Sequence, residues 1–371
     1  VRCPREYFFS RVVPMERNLY LRRGSLFHDF AEFYVNHPDF VEDRGPEEFV
    51  RLISGELKPF VDDFMLGVHE TRIRIGLKNI VEFLEGEDFE DLDLEDYGEK
   101  SWDNFFADRY GKSVDDGITE AWFENPELGA RGKVDLVKGE NHLVDYKSGR
   151  SSSSRSIVRG SNVDLFEDDP NFQSILYLTH HRRSRPGEKL KFSFFYFLDN
   201  LEDVISGEAD LEDDITTVTY HPRTFAEHLA RRETYDHLVE GVSERNDRRK
   251  TLEKKGYKNY RKFFEGVELP HEYDKDKLLE SELTQEYISY SQNIVGDYKY
   301  VKNGCESALK KLCGLRERNF FKEDLDKFED FLQRQLENLN EYKEGRFPVG
   351  DVDLDDLDDR DLILGGGHGA E

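Results

Sequence analysis

Cysteine, methionine, tryptophan and proline are scarce in this 371-residue chain, with three, two, two and eleven copies. Three cysteines cannot build the disulfide framework of a small secreted domain, and a reducing, cytoplasmic setting is expected. No run of about 18 apolar residues exists, so no membrane-spanning helix is expected. Val1-Arg2-Cys3-Pro4 lacks the layout of a signal peptide, and the absence of an initial Met reads as a fragment or a trimmed chain. A nucleotide-driven motor is excluded as well. Gly111-Lys112-Ser113 has the tail of a phosphate-binding loop, but the glycine that should precede it is Phe106.

Basic residues are also in short supply: 53 Lys and Arg face 80 Asp and Glu, a net charge of −27. Such acidity often marks disorder, yet 28 Phe and 18 Tyr can fill a core. A folded protein with an acidic coat is the expectation. The favoured reading of that coat is halophilic adaptation, in which molar salt screens self-repulsion to within about 3 Å. The other is an acidic interaction surface or tail. Acid is densest at residues 85–99 and 351–361. Three stretches reverse the sign: 131–160, 182–191 and 245–262. In an acidic chain these suggest contacts to an anion, though a solvated face explains them too.

The periodicity predicts helices over residues 1–35, with Leu26, Phe27, Phe30, Ala31 and Tyr34 on one face of a segment at 24–35. One or two more helices are expected at 46–84, then an acidic loop at 85–99. Strand-like alternation begins at 118–123. A turn is expected at 129–132, a strand at 133–137, a turn at 139–141 and a partner strand at 142–147. A Ser/Gly/Arg loop at 148–156 precedes a helix at 169–180, capped by Asp169 before Pro170. Strands at 191–198 and 216–220, a helix at 225–239 and a closing helix at 320–342 complete the pattern. The expected units are a core with N-terminal helices at 1–240, a basic helical insertion or subdomain at 241–318, a helix returning to the core at 319–350 and a disordered tail at 351–371.

The chemistry is concentrated in Gly132-Lys133-Val134-Asp135 and Asp145-Tyr146-Lys147-Ser148-Gly149. Asp145 and Lys147 are two apart on a strand, so their side chains share a face. Asp135 lies on the neighbouring strand, close enough to share a cation. Two close carboxylates repel unless neutralised, and Mg²⁺ takes one or two protein carboxylates while keeping water. Such an ion acidifies bound water and polarises a phosphoryl oxygen, and Lys147 would orient the water or stabilise transition-state charge. A plain hairpin with exposed charges is the competing reading.

These motifs, in order with three others, resemble the RecB/AddB-like branch of the PD-(D/E)XK nuclease superfamily, which includes CRISPR-associated exonucleases. Gly24-Ser25-Leu26-Phe27-His28 is similar to the branch's Gly-x-x-x-His, and Gln173-Ser174-Ile175-Leu176-Tyr177 to its Gln-x-x-x-Tyr helix. Glu120 resembles an acidic residue that precedes the core strands. The resemblance implies an α/β, restriction-endonuclease-like fold: a mixed central sheet flanked by helices, with a helical insertion. It implies Asp135, Asp145 and Lys147 as catalytic residues, and His28, Asp135, Asp145 and the Tyr146 carbonyl as ligands of Mg²⁺ or Mn²⁺. Gln173, Tyr177, Arg150 and Arg155 are the expected substrate contacts. DNA, as single strands or ends, is the expected partner, with a helicase or a recombination or adaptation complex as a further one and no membrane. The function expected is metal-dependent DNA hydrolysis, and the alternative is a catalytically silent module that binds nucleic acid or a protein. Cys3-Pro4-Arg5-Glu6-Tyr7 is similar to the start of a 4Fe–4S motif, but no cysteine follows Pro348, and Cys305 and Cys313 do not match the remaining spacing. Either the cluster has been lost, which would leave Cys3 vestigial, or the true C-terminus is missing; no cluster is expected in this chain.

Overall fold

The computed structural model describes residues 19–36, 44, 46–60, 63–84, 119–149, 151–161, 171–198, 215–232, 235–236, 250, 282–295, 310–311 and 313–343. Among the described residues three α-helices come first: α1 (Leu19–Asn36), α2 (Pro46–Leu57) and α3 (Asp63–Leu84). Pro46 opens α2 and is followed by Glu47 and Glu48, residue types that suit a helix N-terminus. Strands β1 (Thr119–Asn125), β2 (Ala130–Lys138) and β3 (His142–Lys147) form a meander. Helices α4 (Ser154–Gly160) and α5 (Gln173–Ser184) then carry the chain across to β4 (Leu190–Tyr196). Next come β5 (Ile215–His221), α6 (Phe225–Leu229), α7 (Glu282–Val295), β6 (Asn319–Phe321) and α8 (Lys322–Lys343).

The six strands form one sheet in chain order. β3 pairs parallel with β4, and β5 with β6; the other neighbours are antiparallel. The sheet is covered on both faces. Phe195 and Phe197 point to one side, into a core with Phe27, Phe30 and Ile73 from α1 and α3 and with Phe49 from α2. Phe192, Phe194 and Tyr196 point to the other, into a core with Ile157 from α4, Ile175 and Leu178 from α5 and Leu325 and Phe328 from α8. This explains the nearly unbroken aromatic run in β4, since a strand buried on both faces has no solvent side on which to alternate. Ser193 is the polar exception, and its hydroxyl bonds His142 Nε2 at 2.7 Å and Thr217 Oγ1 at 2.6 Å.

Several sequence expectations need correction. The turn before β2 spans residues 126–129, where Gly129 adopts φ +61°, and 130–132 already belong to the strand. Gly132 is there for closeness: a Cβ would sit 2.8 Å from the Phe123 ring and 3.2 Å from that of Tyr177. Residues 154–156 are not loop but the start of α4, because the Ser153 side chain accepts from the Ser156 N–H and caps it. Helix α5 starts at Gln173, after Phe172, which provides no side-chain cap; the expected cap, Asp169, lies outside the described residues. The helix after β5 is short, closed into a capping box by Thr224 and Glu227. Residues 319–321 form β6, too short to register as a strand in sequence, and α8 follows directly. Residues 1–18, 85–99 and 351–371 lie outside the described residues.

The basic stretch 182–191 also reads differently in the fold. Arg182 pairs with Asp326 and Glu329 at 2.8 Å each. Arg183 pairs with Glu127 at 2.7 Å, and Arg185 with Glu140 at 2.8 Å. These residues sit at the C-terminal end of α5, nine or more residues from Gln173, about 14 Å along the helix axis. They fasten α5 to α8 and to the turns at either end of β2. Arg182→Met is expected to lower stability by about 1–2 kcal/mol, a buried-pair loss discounted for the partly exposed acids, and to leave the end of β3 at Lys147 unchanged. Chemical denaturation at low and at molar salt checks this, and screening should shrink the difference.

Candidate active site

Two hairpin aspartates and a lysine meet where the sheet opens. The β2–β3 ladder runs from Lys138 and His142 to Leu136 and Val144, and the described pairs end there. The next residues on each strand are Asp135 and Asp145. In place of a ladder bond, the Tyr146 N–H donates to Asp135 Oδ2 at 2.6 Å. β2 also changes sides here. Val134 belongs to the core under α5, whereas Leu136 belongs to the core under α1. Regular alternation would put both on one face, so the strand is irregular across Asp135. This irregularity lets a residue of one helical layer and residues of the other reach the same point.

From the first layer comes His28, in the middle of α1, with Nδ1 3.1 Å from Asp135 Oδ1. The imidazole is thus within side-chain reach of Asp135. From the second layer comes Gln173, the first residue of α5. Its Nε2 donates to Asp145 Oδ1, while its Oε1 accepts from Lys147 Nζ at 2.7 Å. Lys147 Nζ lies 2.5 Å from Asp145 Oδ2 and 5.1 Å from the centre of the Phe194 ring. Phe194 was not singled out from the sequence. It is the register partner of Asp145 on β4, so pairing the two apolar strands would have revealed it.

Asp145 is 3% exposed and Asp135 8%. Burial, and then the charge of Asp135, pushes the Asp145 carboxyl up to about 7 against the opposing pull of Lys147 and His28. Its folded value therefore lies above its unfolded one. The associated stability is present in full below about pH 4 and is lost as pH rises through 7. In chelator, the stability gap between Asp145→Asn and the parent is expected to shift in the variant's favour between pH 5 and 8. Thermal melts across that range measure it, and a flat difference would contradict this environment.

The other expected site residues are distributed unevenly. The Tyr177 side chain is 8% exposed, and its hydroxyl donates to the Lys133 carbonyl at 2.6 Å. The group assigned to substrate thus ties α5 to β2. Arg155 lies on α4, 3.5 Å from Glu317. Glu120 falls in β1, between Thr119 and Ala121, whose register partners on β2 are Leu136 and Val134. Arg150, Cys3 and Cys305 lie outside the described residues, and Cys313 is buried.

A family profile for the PD-(D/E)XK nuclease superfamily matches residues 1–352. The chain belongs to this superfamily. No curated protein and no solved structure matches it. Its mixed sheet between helical layers is the restriction-endonuclease-like arrangement, and superfamily membership supports a nuclease, a phosphodiester hydrolase. PD-(D/E)XK nucleases generally use divalent metals such as Mg²⁺. No helix among the described residues is long and apolar enough to cross a membrane.

The residues of this candidate site fit such an ion in type. Two donors at right angles, each about 2.1 Å from an octahedral ion, stand about 3.0 Å apart. The His28–Asp135 separation of 3.1 Å is of that size. A cation would also relieve the repulsion that Asp135 exerts on buried Asp145. Among the described residues no group of three His, Cys, Asp or Glu side chains forms a ready-made cage. Asp145 is occupied by Lys147 and Gln173 instead.

Proposed function

We propose that the chain is a metal-dependent deoxyribonuclease of the RecB/AddB-like branch that acts on single strands or ends in DNA repair, recombination or CRISPR-type processing. The convergence of His28, Asp135, Asp145 and Lys147 from three separate elements, where β2 and β3 separate, supports this most. Asp135, Asp145, His28 and the Tyr146 carbonyl would hold Mg²⁺ or Mn²⁺. When bound, the ion supplies an acidified water and a Lewis acid for the phosphoryl oxygen.

The chain's own groups do the remaining work. Asp135, held by the Tyr146 N–H, keeps its carboxylate at the point where β2 and β3 separate. Lys147 is a movable counter-cation that neutralises Asp145. Once Asp145 is otherwise neutralised, its ammonium is released to hold the attacking water or the charge gathering on the phosphate. The Gln173 amide bridges Asp145 and Lys147, so it limits how far Lys147 moves. The Phe194 ring face offers the ammonium an apolar seat that suits a cation. Tyr177 acts at a distance, fixing the helix that carries Gln173.

The test is a digestion of end-labelled single- and double-stranded DNA with Mn²⁺, Mg²⁺ or chelator in molar KCl. Cleavage that needs the ion and favours single strands or ends is expected. Folded protein that binds divalent ions but cuts neither DNA would overturn the reading.

A further inference from the structure

A second basic site lies in the helical layer next to the candidate active site. The Phe27 ring packs directly on Gly76, where a Cβ would be 2.6 Å from the ring, so α1 and α3 meet there. One helical turn before Phe27 stands Arg23, and one turn before Gly76 stands Arg72. His69 lies one turn before Arg72 on the same face of α3. Arg23 is 5% exposed and His69 2%.

Neither ring nitrogen of His69 has a hydrogen-bond partner, and buried Arg72 Nε has none either. Among the described residues no acid pairs with Arg72 or with His69. Burial first, and then the charges of Arg23 and Arg72, lower the His69 pKa, so both guanidinium groups are within electrostatic reach of the imidazole. A neutral buried imidazole, and the buried Nε–H of Arg72 beside it, are costly when left without an acceptor. A core has no use for such a set, because apolar side chains of similar volume would pack there without unmade bonds.

The set also has a meaningful position. Gly24, beside Arg23, lies against the loop after β3, with Ser148 Oγ 3.5 Å from where its Cβ would be. Ser148 directly follows Lys147. The helix that carries Arg23 therefore touches the loop that follows Lys147. The arginines at the end of α5 sit far from it and are already paired with acids.

We propose that Arg72, His69 and Arg23 form an anion site that holds a backbone phosphate of the nucleic-acid strand at a distance from the cleaved bond. Arg72 supplies charge-assisted hydrogen bonds at the mouth. His69 donates one N–H from beneath, and Arg23 adds a fixed positive charge from α1. This rests on the nuclease reading and gives it a strand-holding subsite.

The experiment uses a fluorescent single-stranded oligonucleotide and the full chain in chelator, where no cleavage occurs. Anisotropy is recorded across a range of KCl concentrations for the parent, Arg72→Gln, Arg72→Lys and His69→Gln. For Arg72→Gln we expect about a 5- to 10-fold weaker Kd and a salt slope smaller by about 0.7, the value for one phosphate contact on a single strand. Arg72→Lys should recover part of the affinity and all of the slope. Arg72 is half-buried, so its variants test the site even if His69→Gln does not fold. Folded Arg72→Gln with the parent's affinity and slope would overturn the site. Failure of the parent itself to bind the oligonucleotide would overturn the nuclease reading beneath it.

Discussion

Lys147→Ala is expected to lower the rate of phosphodiester cleavage by about two to three orders of magnitude while leaving divalent-ion affinity equal or improved. The size is that of removing one preorganised charge aimed at a developing anion. The sparing of metal affinity follows from the position of the ammonium, 2.5 Å from Asp145 Oδ2, where it is a rival cation and not a ligand. The alanine removes that rival. It also removes a group that holds the Asp145 carboxyl down, so the improvement should be clear above pH 8 and weaker at pH 6, where the proton competes. Single-turnover rates on labelled DNA, together with Mn²⁺ calorimetry at both pH values, check the two halves. A variant that cuts at the parent rate would remove Lys147 from the mechanism.

Asp135→Asn is expected to abolish both cleavage and metal binding. Asparagine keeps the shape and one acceptor for the Tyr146 N–H, so the backbone bond at the strand divergence survives. What it loses is the charge. Stabilisation of several kcal/mol by a bound ion corresponds to about a thousandfold in rate, and the variant should lose at least that much. It carries a second signature as well. Without the neighbouring charge, the Asp145 carboxyl should titrate lower than in the parent. Carbon-detected NMR of the two carboxyls reads this without any metal. If Asp135→Asn retains metal-dependent cleavage, the two carboxylates do not share an ion.

Much of this arrangement was legible in the residues. The period of two in 142–147 puts Asp145 and Lys147 on one face, and that fixes half of the site without a tertiary contact. The β4 strand was visible because Phe-Ser-Phe-Phe-Tyr has no alternative use. What stayed hidden depends on long-range partners. α4 begins within a serine run, and which serine caps it is decided by packing of Ile157 and Val158, not by local preference. β6 is three residues long and exists because β5 offers it an edge. The arginines at 182–185 looked like a phosphate track because their partners, Glu127, Glu140, Asp326 and Glu329, are scattered along the chain. The break in alternation across Asp135 is likewise invisible locally, because Val134 and Leu136 are both apolar and only the two cores tell them apart.

The central claim is that an imidazole from α1 and the hairpin carboxylates hold one divalent ion. Pulsed electron paramagnetic resonance of Mn²⁺ bound to the full chain tests it most directly. The account predicts nitrogen coupling from a coordinated imidazole, present in the parent and lost in His28→Gln while the manganese stays bound through Asp135 and Asp145. Nitrogen coupling that persists in His28→Gln, or bound manganese with none in the parent, would contradict it.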